Sequence, residues 1–194
     1  MSHDLQSLFN QEIKYLKNAV QDGSSAYHTF SLATLQNKSP ELRTIVLRGV
    51  QESPFKIYFN ADYRSPKVQE LIKHQNCSAL FYDKNRRVQI RLRCSAMVHY
   101  QNKTSQEVWN KTVLQSRKCY MGPFAPSMQL DDWHPNIPME YLKSDPDPDP
   151  SEKGYINFAH IELEVLESDV LHLHHDGHIR FKADSKGDLF YVSP

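Results

Sequence analysis

Near the start of the chain apolar residues recur three and four apart. Leu5, Leu8, Phe9, Ile13, Leu16 and Val20 fall on one face, with Asp4 early and Gly23 just past the end. That period predicts an amphipathic helix over residues 4–21, packed against a sheet. From Tyr27 the pattern changes to strand formers. Tyr27–Leu35 and Leu42–Val50 read as a hairpin around the turn cluster Asn37-Lys38-Ser39-Pro40, and Phe55–Phe59 returns as a third strand after Glu52-Ser53-Pro54. The third strand runs through Asn60-Ala61-Asp62-Tyr63 into a short helix over residues 66–74, with Ser65 as a preferred cap and Pro66 shaped for the first helical position.

Cys77–Tyr82 then reads as a strand, Asp83-Lys84-Asn85 as a turn and Arg86–Tyr100 as a long strand. Val88, Ile90, Leu92, Cys94, Ala96 and Val98 form its apolar face, and Arg87, Gln89, Arg91 and Arg93 begin the other. Thr104-Ser105-Gln106-Glu107 has the form of a capping box opening a helix to about Ser116. From Gly122 to Pro150 prolines forbid a regular ladder, so a surface excursion or lid is expected. Ile161, Leu163 and Val165 alternate with Glu162, Glu164 and Glu167; Val170–His175 and His178–Ala183 flank Asp176-Gly177 as a hairpin; Leu189–Val192 follows Gly187. About eight short strands without βαβ alternation predict a mainly β, antiparallel barrel with peripheral helices.

Composition narrows the picture. The 194 residues, 39% hydrophobic, suffice for one domain over residues 1–194. Lys+Arg and Asp+Glu both number 23, so no overall field draws in nucleic acid and any anion site is local. Cys77, Cys94 and Cys119 form no disulfide framework and no C-x-x-C pair, which points to a reducing compartment. With neither a secretory leader nor a membrane-length apolar run, the expectation is a soluble cytoplasmic protein without a membrane partner.

The candidate chemistry is anionic. A helix beginning at Ser65-Pro66, flanked by Arg64 and Lys67, adds two cations to the partial positive charge of a helix end, and a phosphate suits it. Three arginines and a glutamine on the strand from Arg86 could serve a phosphate and a heterocycle edge, or simply face water. His172, His174, His175 and His178 give no coherent four-ligand set, because a two-residue turn sends the candidate pairs to opposite sides; no metal is expected. The nucleophile-elbow, zinc-protease, P-loop and dinucleotide-binding motifs do not occur.

Three segments carry a resemblance. Arg43-Thr44-Ile45-Val46-Leu47-Arg48, Asn60 to Lys67, and Arg86-Arg87-Val88-Gln89-Ile90-Arg91 resemble, in order and spacing, the FMN-binding segments of the pyridoxamine 5'-phosphate oxidase family, especially its shorter FMN-binding branch. The resemblance extends from about Thr29 to Pro194. It implies a Greek-key, split antiparallel β-barrel that forms a homodimer, with FMN in a groove shared between subunits. It implies that Arg43, Arg64, Ser65 and Lys67 hold the phosphate, that Arg48 and the Asn60-Ala61 backbone lie beside the ribityl chain and ring, and that Gln89, Arg91 and Arg180 contribute. Arg117 and His178 fall in the implied substrate region.

Departures bear on substrate. Where the family's oxidases carry Arg-x-His-x-Arg, this chain reads Asp176-Gly177-His178-Ile179-Arg180; Val113 stands where a tyrosine is expected, and Leu171-His172 where a tryptophan is expected. The reading is an FMN-dependent oxidoreductase of a small molecule with no catalytic side chain assigned. Its alternatives are pyridoxamine 5'-phosphate oxidase itself and a non-catalytic flavin carrier.

Overall fold

The computed structural model describes residues 4–194. Helix α1 (Leu5–Ala19) starts where Asp4 accepts a hydrogen bond from the Gln6 N–H, as its cap chemistry requires, and buries Ile13, Leu16 and Ala19 along one face. Strands β1 (Thr29–Gln36) and β2 (Ser39–Val46) form a hairpin in which Asn37 and Lys38 both take positive φ, as a tight connection between right-twisted strands demands. Strand β3 (Gly49–Gln51) pairs with β4 (Lys56–Asp62), which leads to helix α2 (Pro66–Lys73). Strands β5 (Asn76–Asp83) and β6 (Val88–Tyr100) form the next hairpin.

Helices α3 (Lys103–Lys111), α4 (Leu114–Arg117) and α5 (Pro148–Ser151) precede the long strand β7 (Phe158–His172), and β8 (Ile179–Ala183) and β9 (Leu189–Tyr191) close the chain. The strands make one nine-stranded sheet in the order β2-β1-β5-β6-β7-β4-β3, with β8 on β7 and β9 on β8. The expected class, a mainly β antiparallel split barrel with peripheral helices, is what the chain forms, as a sheet that does not close on itself. Among the described residues no helix is long and apolar enough to cross a membrane.

The chain divides into two compact units. The first comprises residues up to Phe59, His74–Met97 and Glu162–Pro194. Phe30, Phe59, Phe81 and Tyr27 form its aromatic centre, with Phe30 and Phe81 centroids 5.0 Å apart. Glu12, buried on α1, accepts from Tyr27 Oη at 3.0 Å and from Arg86 Nη1 at 2.8 Å, fastening the helix to the β5–β6 turn. The second unit comprises Asn60–Lys73 and Val98–Ile161. Fully buried Trp109 and Phe158, with centroids 5.1 Å apart, anchor it, and Trp109 Nε1 donates to Glu152 at 3.0 Å.

Two local expectations are corrected. The α3 cap is Asn102 rather than Thr104: its side chain accepts from the Ser105 N–H, and Ser105 Oγ accepts from the Asn102 N–H, so the reciprocal box forms two residues earlier. The β7–β8 connection is the longer loop 173–178 rather than a two-residue turn, with His172 opposite Ile179. The Leu173 N–H donates to the Arg87 carbonyl and the His174 N–H to His178 Nδ1, which draws the chain off the ladder before Asp176-Gly177.

Candidate functional site

In the second unit the segment from Asn60 to Lys67 is tightly specified. Asn60 Oδ1 lies 2.8 Å from His160 Nδ1, and the Tyr63 and Tyr100 rings stack at 3.5 Å and 7°. Asp62, largely buried, turns the backbone by accepting from the Arg64 N–H at 2.8 Å, an Asx-type turn, and then grips the Arg64 side chain through Nε at 3.0 Å and Nη2 at 2.7 Å. The carboxylate bonds hold the Arg64 guanidinium above its usual value. Arg64 also donates to the carbonyls of Gly122 and Pro123, so most of its fork is committed within the unit.

Helix α2 begins in the geometry its sequence predicts. Ser65 is buried, its hydroxyl donates to the Asp62 carbonyl at 2.6 Å, and its own carbonyl accepts from the Val68 and Gln69 N–H groups. Pro66 brings no N–H, and Lys67 brings a backbone N–H and an ammonium to the same end. Ala61 is buried beside Asp62 at the end of β4. With the Ser65 hydroxyl spent on the Asp62 carbonyl, a lysine and a helix N-terminus, braced by an arginine that also carries charge, form the donor set that fits a phosphate dianion. The residues present thus fit the phosphate end of FMN.

In the first unit Arg43 shares the face of Leu32 and Ile45, donates to Thr34 Oγ1, and reaches the Glu41 carbonyl at 3.2 Å. Arg48 lies in the break between β2 and β3; its N–H donates to the Tyr58 carbonyl and its side chain is exposed. On β6, Gln89 is half-buried opposite Tyr82. Arg91 and Arg180 converge on Asp169, which sequence reasoning did not single out. Burial alone would push that carboxyl up, but hydrogen bonds from Arg180 and then Arg91 overcome it and hold it below the usual carboxylate range. Beside this cluster a cleft of about 380 Å³ is lined by Ser31, Ala33, Leu42, Leu80, Arg91 and Arg93.

The substrate-region residues differ in character. Arg117 is buried and spends all five of its N–H groups internally, on the carbonyls of Thr112, Trp109 and Asn110, on Ser151 Oγ and on Glu152, while its guanidinium lies over the Trp109 ring at 4.7 Å. It is placed as an internal clamp. His178 is exposed in the 173–178 loop, and Arg87 reaches His175 Nε2 at 3.2 Å. Sequence reasoning missed His160 and Asp169, each far in the chain from the residue it holds. Asp62 carried a local signal, an aspartate two residues before an arginine at a turn.

Residues 8–100 match the family described as pyridoxamine 5'-phosphate oxidase, FMN-binding domain. No match is found among curated proteins. Among solved structures, a pyridoxamine 5'-phosphate oxidase-related, FMN-binding protein from Nostoc punctiforme PCC 73102 superposes with a TM-score of 0.71 at 20% identity, covering 95% of this chain and 96% of its own. PhzG from Burkholderia lata 383, in complex with tetrahydrophenazine-1-carboxylic acid, superposes with a TM-score of 0.65 at 15% identity, covering 100% of this chain and 94% of its own. At these identities the likeness speaks for the fold. The three segments read from the sequence all lie inside the matched region, so residues 8–100 carry the likeness to the FMN-binding domain of the pyridoxamine 5'-phosphate oxidase family, and the chain as a whole shares the fold of proteins related to it.

Proposed function

We propose that this protein binds FMN and acts as an FMN-dependent oxidoreductase on a small molecule. The observation that carries the reading is the α2 start, where Lys67 and the helix N-terminus, set by Ser65 on the Asp62 carbonyl and braced by Arg64 on Asp62, offer a phosphate-type donor set inside the family-matched segment. FMN, when bound, accepts a hydride or electrons from a substrate, so few demands fall on side chains. The resemblance assigns Arg43, Arg64, Ser65 and Lys67 to the phosphate, Arg48 and the Asn60-Ala61 backbone to the ribityl chain and ring, and Gln89, Arg91 and Arg180 to further contacts, the last two held by Asp169.

A homodimer with a shared cofactor site accompanies this reading. The sheet face of the first unit that carries Arg91 and Arg93 also exposes Leu42 (68%), Leu80 (37%) and Tyr82 (47%), an apolar strip that a second copy would cover. A cytoplasmic location is part of the same proposal.

The direct test is the absorption spectrum of the purified protein, followed by mass identification of the ligand released on denaturation. FMN supports the reading; FAD, or a protein that takes up no flavin when supplied with it, contradicts it. Anaerobic reduction of the loaded protein by NADH or NADPH then separates an enzyme from a carrier.

A further inference from the structure

Two of the three cysteines, unremarkable in the sequence, are brought together by the fold. Cys77 on β5 and Cys94 on β6 are directly opposed in the antiparallel register, and both are free thiols buried in the first unit. The Ala96 N–H donates to the Gln75 carbonyl in the same register, which makes the Cys77–Cys94 pair a hydrogen-bonded one, with Cα atoms about 5.5 Å apart. That separation lies within the range a disulfide spans, while the Cβ atoms of such a pair must draw together slightly to close it.

The Cys77 side chain, and then burial, push the Cys94 thiol up. Access exists as well: a cleft of about 320 Å³ is lined by Cys77 and Cys94 together with Thr34, Leu35, Pro40 and Leu166. A peroxide molecule needs far less room than that.

From the register and the cleft, we propose that Cys77 and Cys94 form a reversible thiol–disulfide site, oxidised by small peroxides. One of the two sulfurs attacks the O–O bond of hydrogen peroxide, giving a sulfenic acid and one water. The other sulfur then attacks the sulfenic sulfur, the S–S bond forms, and the departing hydroxide takes the second thiol's proton as a second water. The two sulfurs lose two electrons and the peroxide gains them. A disulfide that must pull its strands inward is more easily reduced than a relaxed one, so dithiol reagents should reopen it.

The test uses the full chain carrying Cys119→Ser, which removes the exposed thiol. The folded protein is treated with hydrogen peroxide, alkylated under denaturing conditions and digested with trypsin, which cuts between the two cysteines at Lys84, Arg86, Arg87, Arg91 and Arg93. The expected product is a cross-linked peptide pair holding Cys77 and Cys94, two hydrogens lighter than the sum of the free peptides and separated again by dithiothreitol. Recovery of both residues as alkylated thiols, or their conversion to sulfinic or sulfonic acids without a cross-link, would overturn the proposal. If Cys119→Ser does not fold, the same digest of the unsubstituted protein decides, with a Cys77–Cys94 peptide supporting the proposal and peroxide products confined to Cys119 overturning it.

Discussion

Arg91 and Arg180 share the carboxylate of Asp169: Oδ2 accepts from Nη2 of both arginines, and Oδ1 accepts from Arg180 Nε at 3.0 Å. Asp169 is only 4% exposed, so these bonds offset the burial of its charge. The Asp169→Asn protein keeps the shape and loses the charge pairing. Because the arginines are themselves partly exposed, the expected loss of unfolding free energy is about 1.5–3 kcal/mol rather than the larger cost of a fully buried pair. Urea unfolding at neutral pH measures it, and coincident transitions would contradict the role assigned to Asp169.

The same carboxylate sets a pH dependence. Its folded-state value is depressed below the unfolded one, so its stabilisation is complete above the ordinary aspartate range, about pH 4, and is lost as pH falls through the folded value. The difference in unfolding free energy between the unsubstituted protein and Asp169→Asn should therefore narrow on acidification below about pH 4. A difference that stays constant as the solution is acidified contradicts the sign.

Arg117 should behave as a structural residue. Replacing it with methionine strands the carbonyls of Trp109 and Thr112 and leaves Glu152 without its cation. Because Glu152 is half exposed, the expected cost comes mainly from the stranded carbonyls and is about 1.5–3 kcal/mol, read as a lowered urea midpoint, with flavin content of the remaining folded protein unchanged. A variant of normal stability that loses flavin or substrate affinity would instead place Arg117 in the site.

Pyridoxamine phosphate should be a poor substrate. Asp176, exposed in the 173–178 loop, stands where the family's oxidases carry an arginine, so a donor is lost and a charge that repels the phosphate is added. Each lost charged donor is worth about 1.5–3 kcal/mol, and two such losses cost a factor of hundreds in kcat/KM. Steady-state assays of the FMN-loaded protein and of Asp176→Arg check this. Efficiency on the order of 10⁴ M⁻¹s⁻¹ or better in the unsubstituted protein would restore the family's named activity.

Where the sequence carried local information, the fold was legible. The apolar period of α1, the Ser65-Pro66 start of α2 and the alternation of β6 each follow from side chains within a few residues of one another. The reading failed where distant groups compete for a backbone donor. Asp176-Gly177 predicts a tight turn on its own, but the Leu173 N–H goes to the Arg87 carbonyl and the turn opens into a loop. The site was legible in the same uneven way. The phosphate-type segment is contiguous and could be read. The partners that hold Arg91 and Asn60, namely Asp169 and His160, lie far along the chain and come near only through strand pairing.

The central claim is that the α2 start recognises a phosphate, and comparing FMN with riboflavin tests it most directly, since the two differ only in that group. Fluorescence titration of the flavin-free protein should show FMN binding tighter by a factor on the order of one hundred or more, as two charged hydrogen bonds at about 1.5–3 kcal/mol each require. In Lys67→Glu that preference should collapse while weak riboflavin binding persists. Equal affinity for FMN and riboflavin in the unsubstituted protein, or a Lys67→Glu protein that keeps the full preference, would contradict the account.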